Sequence, residues 1–462
     1  MIYDRNDTIC AISTPPGTGG IAVIRVSGKH ALDAVGKIWH GAILTDVKSH
    51  TAHLGEIVDP DSTKANEPLD QCVATVFKGP HSFTGEDTVE ISVHGSKWVQ
   101  RELISLLCHN GCRLAQPGEF SQRAVINGRM DLAQAEGTAD LIAASSRASH
   151  RIAISQMKGN LTDRIARLRD ALVDLSALME LELDFSEEDV TFADRKKLLI
   201  LANEVSNEIS SLHKTFSTGN AIKNGIPVAI VGPTNAGKSS LLNAIVDYDR
   251  AIVSDIHGTT RDTIEETAEL GDYTFRFIDT AGIRDTSDPI EQIGIERSRN
   301  AAEKAHIVIS VIDASQPMNV IPETTVGHTV IVLNKTDLLK KKEIISKSRK
   351  ISASLPETTP IIPLSTKERT GMDTLLHTLQ AIMDKEMAPE GDIIITNQRQ
   401  AQALGEALDS IQTLISGLQS TLPTDLLVEH LRETIHHLST LTGTIPSQEI
   451  LNTIFSRFCI GK

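Results

Sequence analysis

The chain of 462 residues is too long for one hydrophobic core and predicts two to four domains. A formal net charge of −15 argues against a broad nucleic-acid-binding surface, because neutralising phosphates requires clustered Lys and Arg. No apolar stretch reaches the length of a membrane span, the start lacks the regions of a signal peptide, and the five cysteines show no disulfide or zinc spacing, so we expect a reduced, cytoplasmic protein.

The first part of the chain, residues 1–118, predicts a mixed α and β domain. Short apolar runs alternate here with glycine and proline turns, a pattern typical of strands. The predicted strands are Thr8–Ile12, Ile21–Ile24, Cys72–Phe77 and Thr88–Ile91. Arg25 follows one of these runs and Glu90 lies within another, and residues of these two types are more often solvated surface groups than ligands.

Two later parts of the chain, residues 119–219 and 386–462, predict the two parts of one helical-bundle domain. In each part, apolar residues recur at steps of three and four, which draws one apolar stripe along a helix. The first stripe consists of Leu161, Ile165, Leu168, Leu172, Leu175, Leu178 and Leu181. The second consists of Leu404, Leu408, Ile411, Leu414 and Leu418. Since neither stripe has another partner in the sequence, we expect the two to pack against each other.

Residues 220–385 separate the two helical parts and predict an inserted Ras-like P-loop G domain. The apolar run Pro227–Val231 enters Gly232-Pro-Thr-Asn-Ala-Gly-Lys-Ser239, which matches G-x-x-x-x-G-K-S, and a helix-compatible segment follows. Glycines in such a loop let successive N–H groups point at a phosphate, and the helix N-terminus adds its dipole. Lys238 supplies a point charge for the β- and γ-phosphates, and the Ser239 hydroxyl can bind Mg²⁺.

Two motifs, each after a predicted strand, indicate that the nucleotide is a guanosine nucleotide. Asn334-Lys-Thr-Asp337 follows Val330–Leu333, and its Asp337 carboxylate can accept hydrogen bonds from N1–H and the exocyclic amine of guanine. Adenine has an acceptor at N1 in place of a donor, so the same pairing would fail. Leu364–Lys367 resembles the loop that backs the guanine base. These motifs disfavour the alternative of an ATP-binding P-loop protein.

Two further segments predict the parts that respond to the γ-phosphate. Asp279-Thr-Ala-Gly282 follows the strand pattern Tyr273–Ile278, so its aspartate can hold the Mg²⁺ shell and its glycine N–H can face the γ-phosphate. Thr259-Thr-Arg-Asp262 lies between the P-loop and this motif, and Thr260 can meet Mg²⁺ and γ-phosphate only while the γ-phosphate is present. Losing that contact on hydrolysis would release the segment, which predicts a first switch.

Ile283 stands where Ras-like proteins carry a glutamine that orients the attacking water. Because the isoleucine side chain cannot hydrogen-bond water, another group must supply the catalytic contribution that this glutamine makes. We predict a monovalent cation, held by the Asn235 amide oxygen and carbonyl oxygens of Ser254–Thr259, that neutralises developing charge. Glu291 could then position the water, although exposed glutamates are also common in loops.

The final residues, Phe458-Cys-Ile-Gly-Lys462, place a single cysteine close to the end of the sequence. A lone cysteine is usually a small buried residue, yet burial is less expected in a tail. Cys459 is therefore equally a candidate thiol that reaches a substrate, and the pattern alone leaves both alternatives open.

These segments together resemble one family over nearly the whole chain. The central runs resemble the TrmE–Era–Septin-like GTPases, and they are Gly232–Ile245, Ile252–Asp262, Asp279–Thr286, Ile290–Ser298 and Asn334–Asp337. The tail Phe458–Lys462 resembles the C-terminal signature of the MnmE (TrmE) family of tRNA-modification GTPases. The N-terminal segments that match the same family are Thr14–Gly28, His81–Asp87, Pro117–Phe120 and Asn127–Glu136.

The resemblance implies a three-part dimer with an N-terminal folate-binding and dimerisation domain, a helical domain, and a G domain inserted in the helical one. The G domains of the homodimer would meet across nucleotide when K⁺ binds, which stimulates hydrolysis. It also implies a heterotetramer with an FAD-dependent partner of the MnmG (GidA) kind. Together they would add a carboxymethylaminomethyl-type group to C5 of the wobble uridine of certain tRNAs, using 5-formyl- or methylene-tetrahydrofolate.

Residue matching to the family implies individual roles. The implied Mg²⁺ ligands are Ser239 and Thr260, and Glu291 would position the attacking water. Cys459 would act in tRNA modification and not in GTP hydrolysis. The implied K⁺ ligands are Asn235, Ser254, Ile256 and Thr259. The implied folate contacts are Arg25, Glu90, Arg129 and Lys462. Motifs and resemblance together give as GTP-binding residues Asn235, Ala236, Gly237, Lys238, Ser239, Ser240, Ser254, Asp255, Ile256, His257, Gly258, Thr259, Thr260, Asp279, Thr280, Ala281, Gly282, Asn334, Lys335, Asp337 and Ser365.

Two other functions stay open on the sequence alone. The G region also resembles Era-like proteins, so a GTP-timed ribosome assembly factor is the main alternative. Such a factor would carry a basic RNA-binding appendage, such as a KH module, whereas this chain is acidic. A folate-sensing regulatory protein without chemistry is the second alternative.

Overall fold

The computed structural model of this chain describes residues 7–61, 67–184, 195–250, 266–278, 301–317, 328–387, 393–420 and 422–443, together with Phe455, Phe458 and Gly461. The chain forms two compact units. The first comprises Met1–Ala139, Thr162–Arg169 and Leu438–Lys462. The second comprises Asp140–Leu161 and Asp170–His437.

A seven-stranded sheet forms the centre of the first unit. Its strands are β1 (Thr8–Ile12), β2 (Ile21–Ser27), β3 (Trp39–His40), β4 (Thr51–Ile57), β5 (Asp70–Phe77), β6 (Thr88–His94) and β7 (Cys112–Leu114). They lie in the order β3-β4-β5-β6-β2-β1-β7, and every neighbouring pair is antiparallel except β1 and β7. Alternate residues of β5 and β6, such as Ala74, Val76, Val89 and Ile91, are fully buried, because successive side chains point to opposite faces.

All four predicted strands of this unit are present, whereas β3, β4 and β7 were missed. The segment of β4 contains Gly55 and few β-branched residues, so it carries little of the pattern that predicts a strand. A Cβ at Gly55 would lie 2.4 Å from the Trp39 ring. The glycine is therefore needed for the indole of β3 to lie against β4, a tertiary requirement that no local pattern reveals.

Eight helices are described before the second sheet. They are α1 (Ala31–Gly36), α2 (Lys97–His109), α3 (Glu119–Ile126), α4 (Leu132–Ala143), α5 (Arg147–Met157), α6 (Asn160–Asp184), α7 (Arg195–Lys214) and α8 (Phe216–Asn224). In the first unit, α2 buries Val99, Leu103 and Leu107 in the same apolar core as β2, β5 and β6. No helix in the described ranges is long and apolar enough to cross a membrane.

The second unit contains a six-stranded sheet. Its strands are β8 (Ile226–Val231), β9 (Glu266–Leu270), β10 (Tyr273–Phe277), β11 (Ile307–Asp313), β12 (His328–Asn334) and β13 (Ile361–Pro363). Their order is β13-β12-β11-β8-β10-β9, in which only the edge pair β9–β10 is antiparallel. Continuous buried runs in β11 and β12 are typical of parallel strands covered on both faces.

Five helices that follow β8 have both ends in the described ranges. They are α9 (Lys238–Arg250), α10 (Lys341–Ser352), α11 (Met372–Glu386), α12 (Gln398–Gln419) and α13 (Thr424–Thr442). Strands β8, β11, β12 and β13 are parallel, so the segments that follow them meet at one edge of the sheet. Ligands bind at this carboxyl edge in open α/β sheets.

The predicted apolar stripes are buried with one exception. Leu161, Ile165, Leu168, Leu172 and Leu175 are at most 4% exposed, and so are Leu404, Ile411 and Leu414, while Leu418 is 6% exposed. Leu178 is exposed and Met179 is buried, because two successive steps of three rotate a position off a stripe of period 3.6. Leu408 is half-buried and Leu181 has no described side chain. The helix that lies along α12 is α7, which the predicted stripes did not include.

Candidate functional site

The candidate nucleotide site begins where β8 ends, in the phosphate loop Gly232–Ser239. Gly232 and Gly237 have positive φ angles of 145° and 97°. A Cβ at Gly232 would lie 2.2 Å from the Val311 carbonyl oxygen, and one at Gly237 would lie 2.1 Å from Asn334 Nδ2. Both positions therefore require glycine for conformation and for space. The loop leads directly into α9, whose N-terminus favours a bound anion.

Lys238 is the first residue of α9, and its side chain turns back onto the phosphate loop. Its Nζ donates hydrogen bonds to the carbonyl oxygens of Gly232 at 2.8 Å and Pro233 at 3.0 Å. Burial lowers the pKa of this ammonium group. A phosphate in the loop would favour the charged form, so the donor set fits an anion. Ser239 and Ser240 follow in the first turn of the helix, and hydroxyl oxygens are hard donors suited to Mg²⁺.

Asn334 and Lys335, at the end of β12, hold the phosphate loop in place. Asn334 Nδ2 donates to the Ala236 carbonyl oxygen at 2.9 Å, and Asn334 Oδ1 accepts from the Thr366 N–H at 3.2 Å. Lys335 Nζ donates to the Asn235 carbonyl oxygen at 2.8 Å. Asn334 is only 1% exposed, and its amide joins the loop to the segment after β13 through one buried and one partly buried hydrogen bond. The structure thus brings together residues that the sequence separates by about a hundred positions.

Asp337 and Ser365 form the side of the site where a base would lie. Ser365 Oγ donates to Asp337 Oδ1 at 2.7 Å and accepts from the Glu368 N–H at 3.2 Å. Ser365 is fully buried, and its N–H donates to the Thr370 carbonyl oxygen at 3.0 Å. The serine orients the carboxylate, which can accept two hydrogen bonds side by side. This arrangement suits the donor edge of guanine.

Asp313, at the end of β11, is part of the site and was missed by sequence reasoning. Its Oδ2 forms an ion pair with Lys335 Nζ at 2.6 Å, and its Oδ1 accepts from the Ser315 N–H and hydroxyl. Burial alone would raise the pKa of Asp313, but the hydrogen bonds from Lys335 and Ser315 outweigh it and hold that pKa below its ordinary value. The available signal was an aspartate ending the apolar run Ile307–Ile312, which is the position where ligand-contacting residues follow strands.

Many predicted residues lie outside the described part of the chain. For the nucleotide and cation sites these are Ser254, Asp255, Ile256, His257, Gly258, Thr259, Thr260, Asp279, Thr280, Ala281, Gly282 and Glu291. For the tail they are Cys459 and Lys462. The described residues reach Ile278, whose N–H donates to the Val228 carbonyl oxygen of β8 at 3.0 Å.

The first unit contains the predicted folate residues Arg25 and Glu90, which face each other across β2 and β6. Arg25 Nε and Nη2 lie 2.9 Å and 2.7 Å from Glu90 Oε1. The guanidinium carbon lies 5.0 Å from the ring centre of Phe83 and 5.6 Å from that of Phe120. The pair is thus placed by two aromatic rings and by each other. Their side chains are 18% and 27% exposed, so both can be reached by a small ligand.

Arg129 and the described tail residue Gly461 also belong to this unit. Arg129 Nε donates to the Ser82 carbonyl oxygen at 3.2 Å. The Gly461 carbonyl oxygen accepts from Ser13 Oγ at 3.1 Å, and a Cβ on Gly461 would lie 2.2 Å from the Ile12 carbonyl oxygen. Gly461 therefore contacts the end of β1, which pairs with the strand that carries Arg25.

Two family patterns match the chain. The pattern described as GTP-binding protein TrmE N-terminus matches residues 8–129. The pattern described as MnmE helical domain matches residues 132–459. Together they span both units and both halves of the predicted helical domain.

Several curated proteins are similar to the chain over its full length. It is 44% identical to the tRNA modification GTPase MnmE of Bacteroides fragilis, across 99% of this chain and 100% of that protein. It is 46% identical to the protein of the same name from Parabacteroides distasonis, across 98% and 100%. For the Cytophaga hutchinsonii protein, also named tRNA modification GTPase MnmE, the identity is 42% across 100% and 99%.

Proposed function

The chain belongs to the family of the tRNA modification GTPase MnmE, and on this premise we propose that it is a K⁺-stimulated GTPase that modifies the wobble uridine of certain tRNAs. It is a GTP hydrolase that acts in tRNA modification. One observation carries the proposal from the structure. The phosphate loop is fixed by Asn334 and Lys335, and Asp337, which we propose reads the base, follows two residues later.

The proposed binding mode assigns the triphosphate to the phosphate loop and guanine to Asp337. Lys238 would exchange its contacts with Gly232 and Pro233 for phosphate oxygens, which are stronger acceptors because they are charged. Ser365 keeps the carboxylate of Asp337 oriented toward the base edge. The chain thus binds and orients GTP mainly with groups that are already held in place.

Mg²⁺ and K⁺ would be held by oxygen donors of this chain. We assign Mg²⁺ to the hydroxyls of Ser239 and Thr260. The K⁺ ligands would be Asn235, Ser254, Ile256 and Thr259. Asn235 is exposed on the phosphate loop, and Lys335 engages its backbone carbonyl, so the side-chain amide is the donor left for a cation. Both cations would supply positive charge where the phosphates become more negative.

The test of the cation assignment compares salts at equal ionic strength. We expect faster GTP hydrolysis in K⁺ than in Na⁺, and we expect Asn235→Ala to abolish the difference. We propose that Glu291 positions water, so Glu291→Ala should slow turnover and leave nucleotide affinity nearly unchanged. Equal rates in the two salts would remove the cation assignment, and an unchanged turnover would remove the role of Glu291.

For the modification reaction we propose that Arg25, Glu90, Arg129 and Lys462 bind a 5-formyl- or methylene-tetrahydrofolate that carries the one-carbon unit. A carboxylate suits the donors of a pterin and a basic group suits a glutamate tail, and the Arg25–Glu90 pair offers both. We propose that Cys459 serves the modification and not hydrolysis. A Cys459→Ser variant should hydrolyse GTP normally while leaving tRNA unmodified, and normal modification would contradict this role.

The proposed partners are a second copy of the chain, an FAD-dependent protein of the MnmG kind in a heterotetramer, and tRNA. The product would be a carboxymethylaminomethyl-type group at C5 of uridine 34. Because the chain is acidic, we propose that the tRNA is held by a local basic patch or mainly by the partner.

The deciding experiment is mass spectrometry of tRNA nucleosides from a strain that lacks this chain. We expect the wobble modification to disappear and to return when the wild-type chain is restored, but not with Lys238→Ala. Normal modification in the deletion strain, with a defect in ribosome assembly, would instead favour the Era-like alternative.

A further inference from the structure

Three potential metal ligands meet in the second unit, away from the phosphate loop. His306 immediately precedes β11, His328 is the first residue of β12, and Glu386 is the last residue of α11. Because β8, β11 and β12 are parallel, the two histidines lie at the opposite edge of the sheet from the phosphate loop. A strand of six or seven residues separates the two edges, a distance of roughly 20 Å.

The side chains of this cluster, His306, His328 and Glu386, converge on a single point. His306 Nε2 lies 2.7 Å from Glu386 Oε2, and His328 Nε2 contacts the other carboxylate oxygen, Oε1. One ligand atom from each of the three residues lies within 4.8 Å of the others. The two imidazole rings are 6.0 Å apart, centre to centre.

The sheet and a neighbouring helix fix the positions of these ligands. The His306 N–H donates to the Pro227 carbonyl oxygen at 2.8 Å, and the His328 N–H donates to the His306 carbonyl oxygen at 3.1 Å. Thr218 Oγ1, from α8, donates to Glu386 Oε2 at 3.0 Å. Ligating carboxylates in metalloproteins are commonly hydrogen-bonded in this way, and such partners orient the ligand.

We propose that His306, His328 and Glu386 bind one Zn²⁺ ion. Two imidazoles and a carboxylate form a zinc ligand set in which the fourth position remains for water. Imidazole nitrogen favours zinc-like ions over Mg²⁺ and Ca²⁺, which take oxygen ligands. Bonds of about 2.0–2.2 Å to one ion place tetrahedral ligand atoms roughly 3.3–3.6 Å apart, so the 2.7 Å contact between His306 and Glu386 would lengthen, while every separation in the cluster is already at most 4.8 Å.

The surroundings of the cluster leave a route of entry for the ion. His328 is 45% exposed, which opens the cluster to solvent, while His306 and Glu386 are 14% and 21% exposed.

A bound ion would join α11 to the starts of β11 and β12, with α8 attached through Thr218. A ligand that binds only the folded state stabilises it by mass action. We therefore expect Zn²⁺ to raise the melting temperature of the second unit, independently of nucleotide and of any catalytic activity.

The test uses the full-length chain, stripped with a chelator and saturated with Mg²⁺ and GDP so that the nucleotide site takes no zinc. Titration against a chromophoric zinc chelator should reveal one tight equivalent per chain. Co²⁺ in its place should give visible absorption without the near-ultraviolet thiolate band that a cysteine site produces.

Variants separate this cluster from other zinc ligands of the chain. Glu386→Gln and His328→Ala should each weaken Zn²⁺ binding by at least about 100-fold, and Thr218→Val by about 10-fold. His377→Ala is the matched control, because His377 is an exposed histidine of α11 outside the cluster, and it should bind zinc as the wild type does. His328 is the most exposed ligand, so its variant should fold even if Glu386→Gln does not. Absence of the tight equivalent, or its persistence in folded His328→Ala, would overturn the proposal.

Discussion

In the second unit, the phosphate loop of the candidate nucleotide site is shaped by its backbone, and the side chains of Asn334 and Lys335 hold that backbone in place. Gly232 and Gly237 shape the loop, and the amide of Asn334 fastens it. In the first unit, the Arg25–Glu90 pair is made of side chains, brought together across two strands from positions 65 residues apart. The first kind of site depends on local conformation, and the second depends on strand register.

This difference predicts how each site responds to change. A backbone site tolerates few substitutions in its loop, because a Cβ meets neighbouring atoms at once. A side-chain site keeps its fold when one partner is replaced, but it loses the ligand contact. The two sites lie in different units, so we expect a substitution in one to leave the ligand affinity of the other unchanged.

The largest effect should come from Asp337→Asn. Replacing the carboxylate removes the acceptor for N1–H and the exocyclic amine of guanine, so GTP affinity should fall by about 10³-fold or more. Xanthine nucleotides, which carry a carbonyl in place of that amine, should bind the variant better than guanine nucleotides do. Competition titration measures both, and Asp409→Asn, an exposed aspartate of α12, is the control. Unchanged guanine preference would show that the base is read elsewhere.

The second largest effect should come from Arg25→Ala, and it should be confined to ligand binding by the first unit. Arg25→Ala removes charge-assisted hydrogen bonds, each worth about 1.5–3 kcal/mol, so tetrahydrofolate affinity should fall roughly 10- to 100-fold. GTP hydrolysis should stay within twofold of wild type. Arg25→Lys keeps the charge without the planar fork and should bind folate with intermediate affinity. If isothermal titration finds folate binding intact in Arg25→Ala, the pair is structural.

A smaller effect is expected from Asn334→Ala, which tests the fastening of the phosphate loop. The variant leaves the Ala236 carbonyl and the Thr366 N–H without their partner, at a cost of about 1–3 kcal/mol in unfolding free energy. Urea unfolding measures the loss. Asn243→Ala, an exposed position of α9, serves as the comparison and should change stability far less. Equal stabilities of the two variants would contradict the fastening role.

The smallest effect concerns acid stability at Asp313. Its folded-state pKa lies below the ordinary value of 3.8, so the ion pair with Lys335 contributes stability above that pH and loses it as pH falls through the folded pKa. Asp313→Asn should therefore cost roughly 0.5–1 kcal/mol at pH 7 and progressively less below pH 3.8. Thermal melts across this pH range test whether the stability difference between wild type and variant shrinks as pH falls. A difference that grows as pH falls would contradict it.

The two sites also differ in how far the sequence predicted them. The conformation of the phosphate loop and the helix after it could be predicted from the sequence, because Gly232, Gly237 and Lys238 form a motif of fixed spacing. Asp313 was missed, because its role depends on where β11 lies relative to β12. Arg25 and Glu90 were assigned only through the family resemblance, since their pairing requires the register of β2 and β6.

The fold also divides into features that local sequence patterns predict and features that they miss. Strands with continuous or alternating apolar runs, such as Thr8–Ile12, were predicted almost residue by residue. Strand β4 was missed because Gly55 accommodates Trp39, a contact made across strands. Leu178 was assigned to a stripe that turns away from it after Leu175. For β4 the missing information was tertiary, whereas Leu178 was misassigned because two steps of three depart from the helical period of 3.6 residues.

A nucleotide competition experiment on the purified full-length chain tests the assignment of guanine to the site between the phosphate loop and Asp337. A fluorescent GDP analogue, bound in the presence of Mg²⁺, is displaced by unlabelled GTP or by ATP. We predict that GTP displaces it at concentrations at least about 10³-fold lower than ATP does. Displacement by the two nucleotides at equal concentrations would contradict the account.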